Sequence, residues 1–258
     1  MKLDKFYTKK EISKKVINTL KEKIDINKYD IILEPSAGNG SFSNILMEEY
    51  SNVIALDILP ENDKIIKMDY FKYNPENKTY LVIGNPPFGR VSSLAYLFMK
   101  KSCEFADVIC FILPRTFKRV SFLNKIDLNY HLIYQEDIPQ KSFIPESMMA
   151  KCCFQIWERR KEKREKIILK ETTEDFKILK IKDRFNADFA VRAYGGNCGT
   201  ISYEIKNLAP KSWHFIKAEK DVDYIIKKIK KIDFSFSKDT ARQDSVGAKE
   251  FVHYYNKT

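Results

Sequence analysis

Paired CxxC motifs are absent from this 258-residue sequence. Its five cysteines, Cys103, Cys110, Cys152, Cys153 and Cys198, lie mostly in apolar runs. Cysteines of this kind are typical of small buried side chains in a reducing compartment. The sequence therefore predicts neither a zinc site nor a disulfide framework.

Long apolar runs are missing as well. No run approaches the roughly 18 residues that a membrane-spanning helix needs. The amino-terminal stretch MKLDKFYTKKEIS has no signal-peptide core. We therefore expect a soluble, intracellular protein. Repeats and low-complexity tails are also absent. A chain of 258 residues can hold one α/β domain with an appendage, or two small domains.

Basic residues exceed acidic ones, and the excess is uneven. The chain has 46 Lys and Arg against 35 Asp and Glu, a net charge of +11. From Glu158 onward there are 24 basic and 16 acidic residues, so most of the excess lies in the C-terminal two-fifths. A polyanionic partner is one explanation. A lysine-rich solvated surface in a protein encoded by AT-rich DNA is the other.

Apolar runs alternate with helical patterns through the first 157 residues. The predicted strands are IILEP, NVIALD, KIIKMD, YLVIG, DVICFIL, YHLIYQED and KCCFQIWE. The predicted helices are KKEISKKVINTLKEKI, SFSNILMEEY and SSLAYLFMKKSCEFA. Alternation of this kind predicts a parallel, doubly wound α/β sheet.

The charge run ERRKEKREK at 158–166 interrupts this pattern and is typical of a solvated helix face or a linker. After it come the strand-like pieces DFKILKI, DFAVRAY and GTISYEI, with Gly195 and Gly196 as a hairpin turn. VDYIIKKIKKI is predicted to be a short basic helix. We predict two domains, residues 1–158 and 159–258, the second a small α+β extension.

Acidic residues and a glycine loop gather at the predicted carboxyl ends of the strands, where such sheets bind ligands. Gly38 and Gly40 in SAGNG allow close approach of the backbone to a ligand. Asp57 is placed to accept ribose hydroxyls, Asp69 to accept an adenine amino group, and Glu34 to accept a cationic amino group. Three carboxylates without a Walker lysine favour a cationic nucleoside without a phosphate chain, which describes S-adenosylmethionine.

GNPPFGR at 84–90 follows the strand YLVIG directly. Proline cannot donate to a sheet ladder and restricts the residue before it, so the strand must end here in a rigid loop. A Pro-Pro turn closed by glycine is also common without any catalytic role.

Together these motifs resemble the class I S-adenosylmethionine-dependent methyltransferases, and among them the amino-methyltransferases that modify adenine N6. The resemblance covers residues 1 to about 157 and rests on FYT at 6–8, EPSAGNGSF at 34–42, Asp57, DYF at 69–71 and NPPF at 85–88. The motif order is like the gamma arrangement of DNA adenine methyltransferases. The fold it implies is a Rossmann-like methyltransferase sheet.

The resemblance implies which residues hold the cofactor. Glu34, Gly38 and Gly40 would line its methionine part, Asp57 its ribose and Asp69 its adenine, and the N-terminal motif would close over it. The full implied set is Phe6, Tyr7, Thr8, Glu34, Pro35, Ala37, Gly38, Gly40, Asp57, Ile58, Asp69, Tyr70 and Asn85.

The same resemblance implies that Asn85, Pro86, Pro87 and Phe88 are catalytic. The Asn85 side-chain oxygen and the Pro86 carbonyl would accept the two N–H bonds of adenine N6, whose lone pair would then point at the methyl group. Their dipoles would stabilise the positive charge that builds on N6. Pro87 would keep the loop rigid and Phe88 would stack on the base.

An adenine inside a duplex must be flipped to reach such a loop. Phe143 is the candidate for a second ring on the flipped base, or else it is an ordinary core residue. Arg115, Lys118 and Arg119 could contact phosphates, or they could form a solvated loop. In the basic C-terminal region, which we expect to bind nucleic acid, Arg184, Arg192 and Arg242 are candidates for base contacts.

Several substrates remain open. Site-specific methylation of DNA is the main prediction, and methylation of RNA, whose adenine methyltransferases also carry NPPF, is the principal alternative. Cytosine N4 and protein glutamine are lesser ones, since those enzymes favour other residues at 85 and 88. Cytosine C5 chemistry is set aside because no Pro-Cys dipeptide occurs. An inactive binding subunit is a further alternative. No metal is expected.

Overall fold

The computed structural model describes residues 6–147 and 149–258. The chain divides into two compact units, of which the first runs to Lys166 and the second spans Ile167–Thr258. In the described part of the chain, no helix has the length and apolarity to cross a bilayer.

A seven-stranded sheet forms the centre of the first unit, in the order β4-β3-β2-β5-β6-β9-β7. Its strands are β2 (Ile31–Glu34), β3 (Val53–Asp57), β4 (Ile66–Lys67), β5 (Tyr80–Gly84), β6 (Val108–Pro114), β7 (Tyr130–Ile138) and β9 (Cys152–Arg159). Every neighbouring pair is parallel except that β9 runs antiparallel to both β6 and β7. A separate antiparallel pair joins β1 (Tyr7–Thr8) to β8 (Phe143–Ile144).

Helices cover both faces of this sheet. They are α1 (Lys10–Lys23), α2 (Ser43–Leu46), α3 (Ser93–Ser102) and α4 (Val120–Leu123). One apolar cluster joins Val16 and Leu20 of α1 to the sheet, and another joins Phe98 and Met99 of α3 to the opposite face. These features confirm the predicted fold class, a Rossmann-like, doubly wound α/β sheet.

The first unit extends beyond the predicted boundary at residue 158 because part of the charge run is bound to it. Arg164 donates through Nε to the Tyr130 carbonyl at 2.8 Å and through Nη2 to the Ile126 carbonyl at 3.0 Å. Its backbone N–H donates to the Leu128 carbonyl at 2.8 Å. Burial of this guanidinium lowers the pKa of Arg164. This end of the run is therefore anchored.

The second unit is an α+β layer built on a four-stranded antiparallel sheet of order β10-β13-β11-β12. Its elements are β10 (Phe176–Leu179), β11 (Phe189–Arg192), β12 (Ile201–Ser202), β13 (Trp213–Ala218), α5 (Val222–Ile229) and α6 (Ala248–Tyr255). Ile225 of α5 and Phe251 of α6 pack with Phe189 and Ile216 of the sheet. β11 and β12 pair as a hairpin, and the predicted turn residues Gly195 and Gly196 lie in the loop between these strands, whose turn is at Cys198 and Gly199.

Candidate active site

Strand ends at one edge of the large sheet bring three loops together. The loops after β2, β3 and β5 begin at the carboxyl ends of neighbouring parallel strands. Gly38 N–H donates to Asp57 Oδ2 at 2.8 Å, and Ser36 Oγ donates to the Asn85 carbonyl at 3.4 Å. The predicted site segments are thus in contact at this edge.

Gly38 and Gly40 both lie in the left-handed region, with φ of +56° and +85°. At Gly38 a Cβ would lie 2.8 Å from Cε1 of Tyr7, so the Tyr7 ring covers this glycine. The loop is tied to the next strand because Ala37 N–H donates to the Leu56 carbonyl at 2.9 Å. Only glycine fits this close approach without strain.

Asp57 and Asp69 are partly exposed and each is oriented by backbone donors. Besides Gly38, Asp57 receives the Leu59 N–H at Oδ1, at 2.8 Å. Asp69 Oδ1 receives the Phe71 N–H at 3.0 Å. A carboxylate oxygen has two acceptor positions, so each of these side chains can still accept a hydroxyl or amino donor.

Glu34 lies deeper than the sequence suggested. The residue is only 2% exposed, and its Oε2 accepts the Ser43 N–H at 2.7 Å. Burial raises the pKa of Glu34 to about 8, and the nearby Asp57 charge also raises it. In this arrangement the Glu34 carboxyl joins the start of α2 to the end of β2.

The Asn85 side chain combines one weak hydrogen bond with one unmet acceptor. Nδ2 donates to the Phe6 carbonyl at 3.4 Å, which orients the amide. Oδ1 is buried and has no hydrogen-bond partner among the described residues. A buried acceptor without a donor is unfavourable in a folded protein. It is typical of a position that a ligand donor completes.

The rest of the NPPF loop, residues 85–88, is held by its surroundings. Pro86 is buried, Pro87 is half-buried, and Phe88 is half-buried against both apolar clusters. The Phe88 carbonyl accepts N–H groups from Leu94 and Ala95 at 3.1 and 3.3 Å. The loop is therefore anchored to the start of α3.

The N-terminal motif reaches this site, as Phe6 meets Asn85 and Tyr7 covers Gly38. The Tyr7 hydroxyl donates to the Glu61 carboxylate. Thr8 is buried and pairs with Phe143 in the small sheet, and its Oγ1 has no partner in the part of the chain that is described.

Phe143 and Tyr70 are buried core residues. Phe143 is 2% exposed and packs in the apolar cluster that joins α1 to the sheet. Of the two alternatives stated for this ring, the structure therefore shows core packing. Tyr70 is buried beside Phe98, and its hydroxyl shares a 2.7 Å hydrogen bond with Ser102 Oγ. The Tyr70 ring is therefore part of the core, and its implied cofactor contact stays a prediction. Ile58, by contrast, is exposed.

The predicted basic residues follow β6 in the segment Arg115–Lys118 and at Arg119. Two of them share one acidic partner. Asp137 Oδ1 lies 3.3 Å from Arg115 Nε and 3.2 Å from Lys118 Nζ. Asp137 was not predicted to belong here, because its position in β7 gives no local signal that it would meet this segment.

Glu61 and Arg90 were missed as well. Glu61 follows β3 in a polar loop and could be linked to Tyr7 only through the fold. Arg90 was quoted within GNPPFGR but given no role. Its side chain is exposed and has no ion-pair partner within the described ranges.

The C-terminal arginine candidates are dispersed within the second unit. Arg184 lies over the Phe185 ring at 4.1 Å and Arg192 over the Trp213 ring at 5.8 Å. Arg242 lies in a bend outside the helices and strands. Their predicted base contacts remain predictions.

No group of three or more His, Cys, Asp or Glu side chains that could hold a metal ion occurs among the residues described. The polar groups of the site fit a cationic nucleoside better than a metal ion. The site consists of a glycine loop under an aromatic ring, two partly exposed carboxylates with free acceptor positions, and the unmet Asn85 acceptor.

No protein-family model matches the chain. A curated relative, the ribosomal RNA small subunit methyltransferase A of Flavobacterium johnsoniae, is 30% identical over 120 residues, covering 40% of this chain and 43% of that protein. The chain thus spans less than half the length of this relative.

Solved structures are similar at a low level. A candidate RNA methyltransferase of Pyrococcus horikoshii has 16% identity and a TM-score of 0.48, covering 61% of this chain and 88% of its own. The 23S rRNA methyltransferase ErmE has 13% identity and a TM-score of 0.46, covering 61% and 71%. Likeness at this level carries no information on the reaction.

Proposed function

We propose that this chain is an S-adenosylmethionine-dependent methyltransferase that modifies adenine N6 in nucleic acid, with RNA as the favoured substrate. The observation that carries the proposal is the buried, unpartnered Asn85 Oδ1 at the carboxyl edge of the sheet. An amino group that donates to this oxygen would complete the site.

The cofactor would lie along the glycine loop. We assign its methionine part to the backbone around Gly38 and Gly40, its ribose to Asp57 and its adenine to Asp69, with Tyr7 and Thr8 closing the N-terminal side. The free acceptor positions of both aspartates support this assignment. S-adenosylmethionine supplies an electrophilic methyl group.

Asn85 and Pro86 act on the nucleophile. Adenine N6 is a poor nucleophile because its lone pair is conjugated with the ring. Two acceptors that take both N–H bonds favour a tetrahedral nitrogen and stabilise the charge that develops on it, with each contact contributing about 3 to 4 kcal/mol. The N6 proton becomes acidic as the new bond forms, so this scheme needs no general base.

Phe88 and Pro87 position the base. The Phe88 ring is half-buried, and its exposed part offers a stacking surface beside Asn85. Pro87 limits the freedom of the loop, so little reorganisation accompanies the reaction. The adenine must be unpaired or extruded to reach this loop, which costs a few kcal/mol in a duplex.

RNA is favoured over DNA, which reverses the preference drawn from the motifs. The curated relative is named as a ribosomal RNA methyltransferase, and its 30% identity supports an RNA substrate here. DNA remains the second candidate because the motif order is gamma-like and a separate unit of Ile167–Thr258 follows the first. In either case we propose that this second unit contacts the nucleic acid.

The test is incubation of the purified protein with methyl-labelled S-adenosylmethionine and, in parallel, total RNA, unmethylated duplex DNA and protein extract. Nucleosides are then analysed by mass spectrometry, with Asn85→Ala as the matched control. N6-methyladenine in RNA that disappears in the variant supports the proposal. The same product in DNA would retain the chemistry and move the substrate to the second candidate. Label in protein alone, or in nothing, would overturn it.

A further inference from the structure

The turn that follows the NPPF loop, residues 89–92, has an unusual backbone. Gly89, Val91 and Ser92 have φ of +67°, +52° and +62°. A β-branched residue in the left-handed region is an outlier. Val91 is also 80% exposed, so burial of its side chain does not compensate for the strain. Strained residues of this kind cluster at functional sites.

The turn is held in this conformation from both sides. A Cβ on Gly89 would lie 2.7 Å from Cβ of Leu94, so the chain turns back tightly onto α3. Ser92 Oγ and Thr116 Oγ1 share a 2.9 Å hydrogen bond. Thr116 lies in the basic segment Arg115–Lys118, so this bond links the turn to that segment.

Its two outward side chains complement a nucleic-acid strand. Arg90 is exposed and has no ion-pair partner within residues 6–147 and 149–258, so its charge is available to a phosphate. Val91 offers an apolar surface that can pack on a base or fill the space that an extruded base leaves. They are the second and third residues after Phe88, which puts them close in the sequence to the proposed adenine site.

We propose that this turn binds the strand beside the target adenine. Arg90 pairs with a flanking phosphate, and Val91 packs on the neighbouring base. The inference rests on the proposed function and extends it to the nucleotides on either side of the target. The strain at Val91 persists because it directs the side chain towards the substrate. Val91 is thus a positioning residue for the target strand.

Relief of the strain separates this role from a purely structural one. Val91→Gly and Val91→Asn both accept a positive φ. We expect each to raise the Tm by about 2 °C and to weaken binding of a fluorescent 12-nucleotide adenine-containing RNA about tenfold in anisotropy. The KM for methylation of that RNA should rise similarly with kcat little changed. Arg90→Ala should weaken binding and reduce its dependence on salt.

The matched control is Lys141→Gly. Lys141 also has a positive φ, +61°, and lies outside both the NPPF loop and the turn at 89–92, in the segment before β8. This variant should gain stability with no change in binding or KM. Full RNA affinity in Val91→Gly, or a lower Tm in both Val91 variants, would overturn the inference. If the wild type bound the RNA but methylated nothing, the proposed function would fail, whereas wild-type methylation that is unaltered in the variants would refute only the role of the turn.

Discussion

The aromatic ring of Tyr7 lies directly over Gly38, so that a Cβ added to this glycine would be 2.8 Å from Cε1 of the ring. The Tyr7 hydroxyl is bound by Glu61, which keeps the ring in place. A segment near the start of the chain thus sets how much space the glycine loop has.

Substitution of Gly38 by alanine should therefore impair both folding and cofactor binding. The new methyl group meets a fixed ring and the φ of +56° disfavours any side chain, so we expect a loss of about 1 to 3 kcal/mol in the free energy of unfolding. Isothermal calorimetry with S-adenosylmethionine should show at least tenfold weaker binding.

Two variants serve as controls for that substitution. Gly196→Ala adds a methyl group with no atom within 4 Å and should be neutral. Tyr7→Ala combined with Gly38→Ala removes the contact and should recover part of the stability. If Gly38→Ala matched Gly196→Ala in both measurements, the close contact would have no energetic role.

Asn85→Ala should reduce catalysis without destabilising the protein. The wild-type side chain has a buried acceptor without a partner and makes a single 3.4 Å hydrogen bond, so its removal breaks only this one weak bond. Loss of one transition-state acceptor should lower kcat by about 10² to 10³. Single-turnover methylation and urea unfolding measure the two effects.

Asn85→Asp retains an acceptor but loses the donor to Phe6, and its rate should fall between those of the wild type and the alanine variant. A fall in unfolding free energy of more than about 1 kcal/mol in Asn85→Ala would instead assign this side chain a structural role.

Much of the fold could be predicted because the apolar runs of the first unit are ended by Gly, Pro and Asp residues at the strand ends. β13 was missed although it is central in its sheet, since His214 and Lys217 interrupt its apolar pattern. The pair of β1 and β8 has two residues in each strand and joins distant parts of the chain. Pairing of that kind leaves no local signal in a sequence.

The candidate site was predictable where strand ends defined it. Asp57 and Asn85 follow neighbouring strands, so the topology alone places them at one edge. Side-chain direction could not be obtained in this way. Phe143 and Tyr70 resemble ligand contacts in their motifs, but their rings complete the two apolar clusters, because burial of a large aromatic surface stabilises the fold.

Asp137→Asn should strengthen binding to nucleic acid. The wild-type carboxylate faces Arg115 and Lys118 at 3.3 and 3.2 Å, and its neutralisation removes a negative charge that competes with phosphates for both cations. Surface pairs of this type stabilise a protein by at most about 1 kcal/mol, so the fold should be unaffected. Anisotropy titrations over a range of salt should show tighter binding and a steeper salt dependence.

Glu158→Gln is the matched control, because Glu158 pairs with Arg160 at 2.8 Å at the far end of β9 from the strand-edge site. This change should leave the affinity and its salt dependence unaltered. Equal gains in the two variants would indicate a general effect of net charge, and no gain in Asp137→Asn would exclude the segment Arg115–Lys118 from the binding surface.

Glu34 should make the stability of the protein fall as the pH rises towards 8. Its pKa is raised from 4.5 to about 8 in the folded state, chiefly by burial. Below pH 4.5 the carboxyl is protonated whether the chain is folded or unfolded. Between 4.5 and 8 the unfolded chain releases this proton and the folded chain retains it, so rising pH favours unfolding by up to about 1.4 kcal/mol per pH unit. Above 8 both states are ionised.

Glu34→Gln isolates this effect from all other titrations. The amide oxygen can still accept the Ser43 N–H, which the wild-type carboxyl accepts at 2.7 Å, and it carries no charge at any pH. Urea unfolding of both proteins at pH 5, 6, 7, 8 and 9 should give a difference that changes up to pH 8 in favour of the variant and is constant beyond it. Parallel curves across the whole range would mean that Glu34 ionises normally, and hence that water or a cation reaches it at the end of β2.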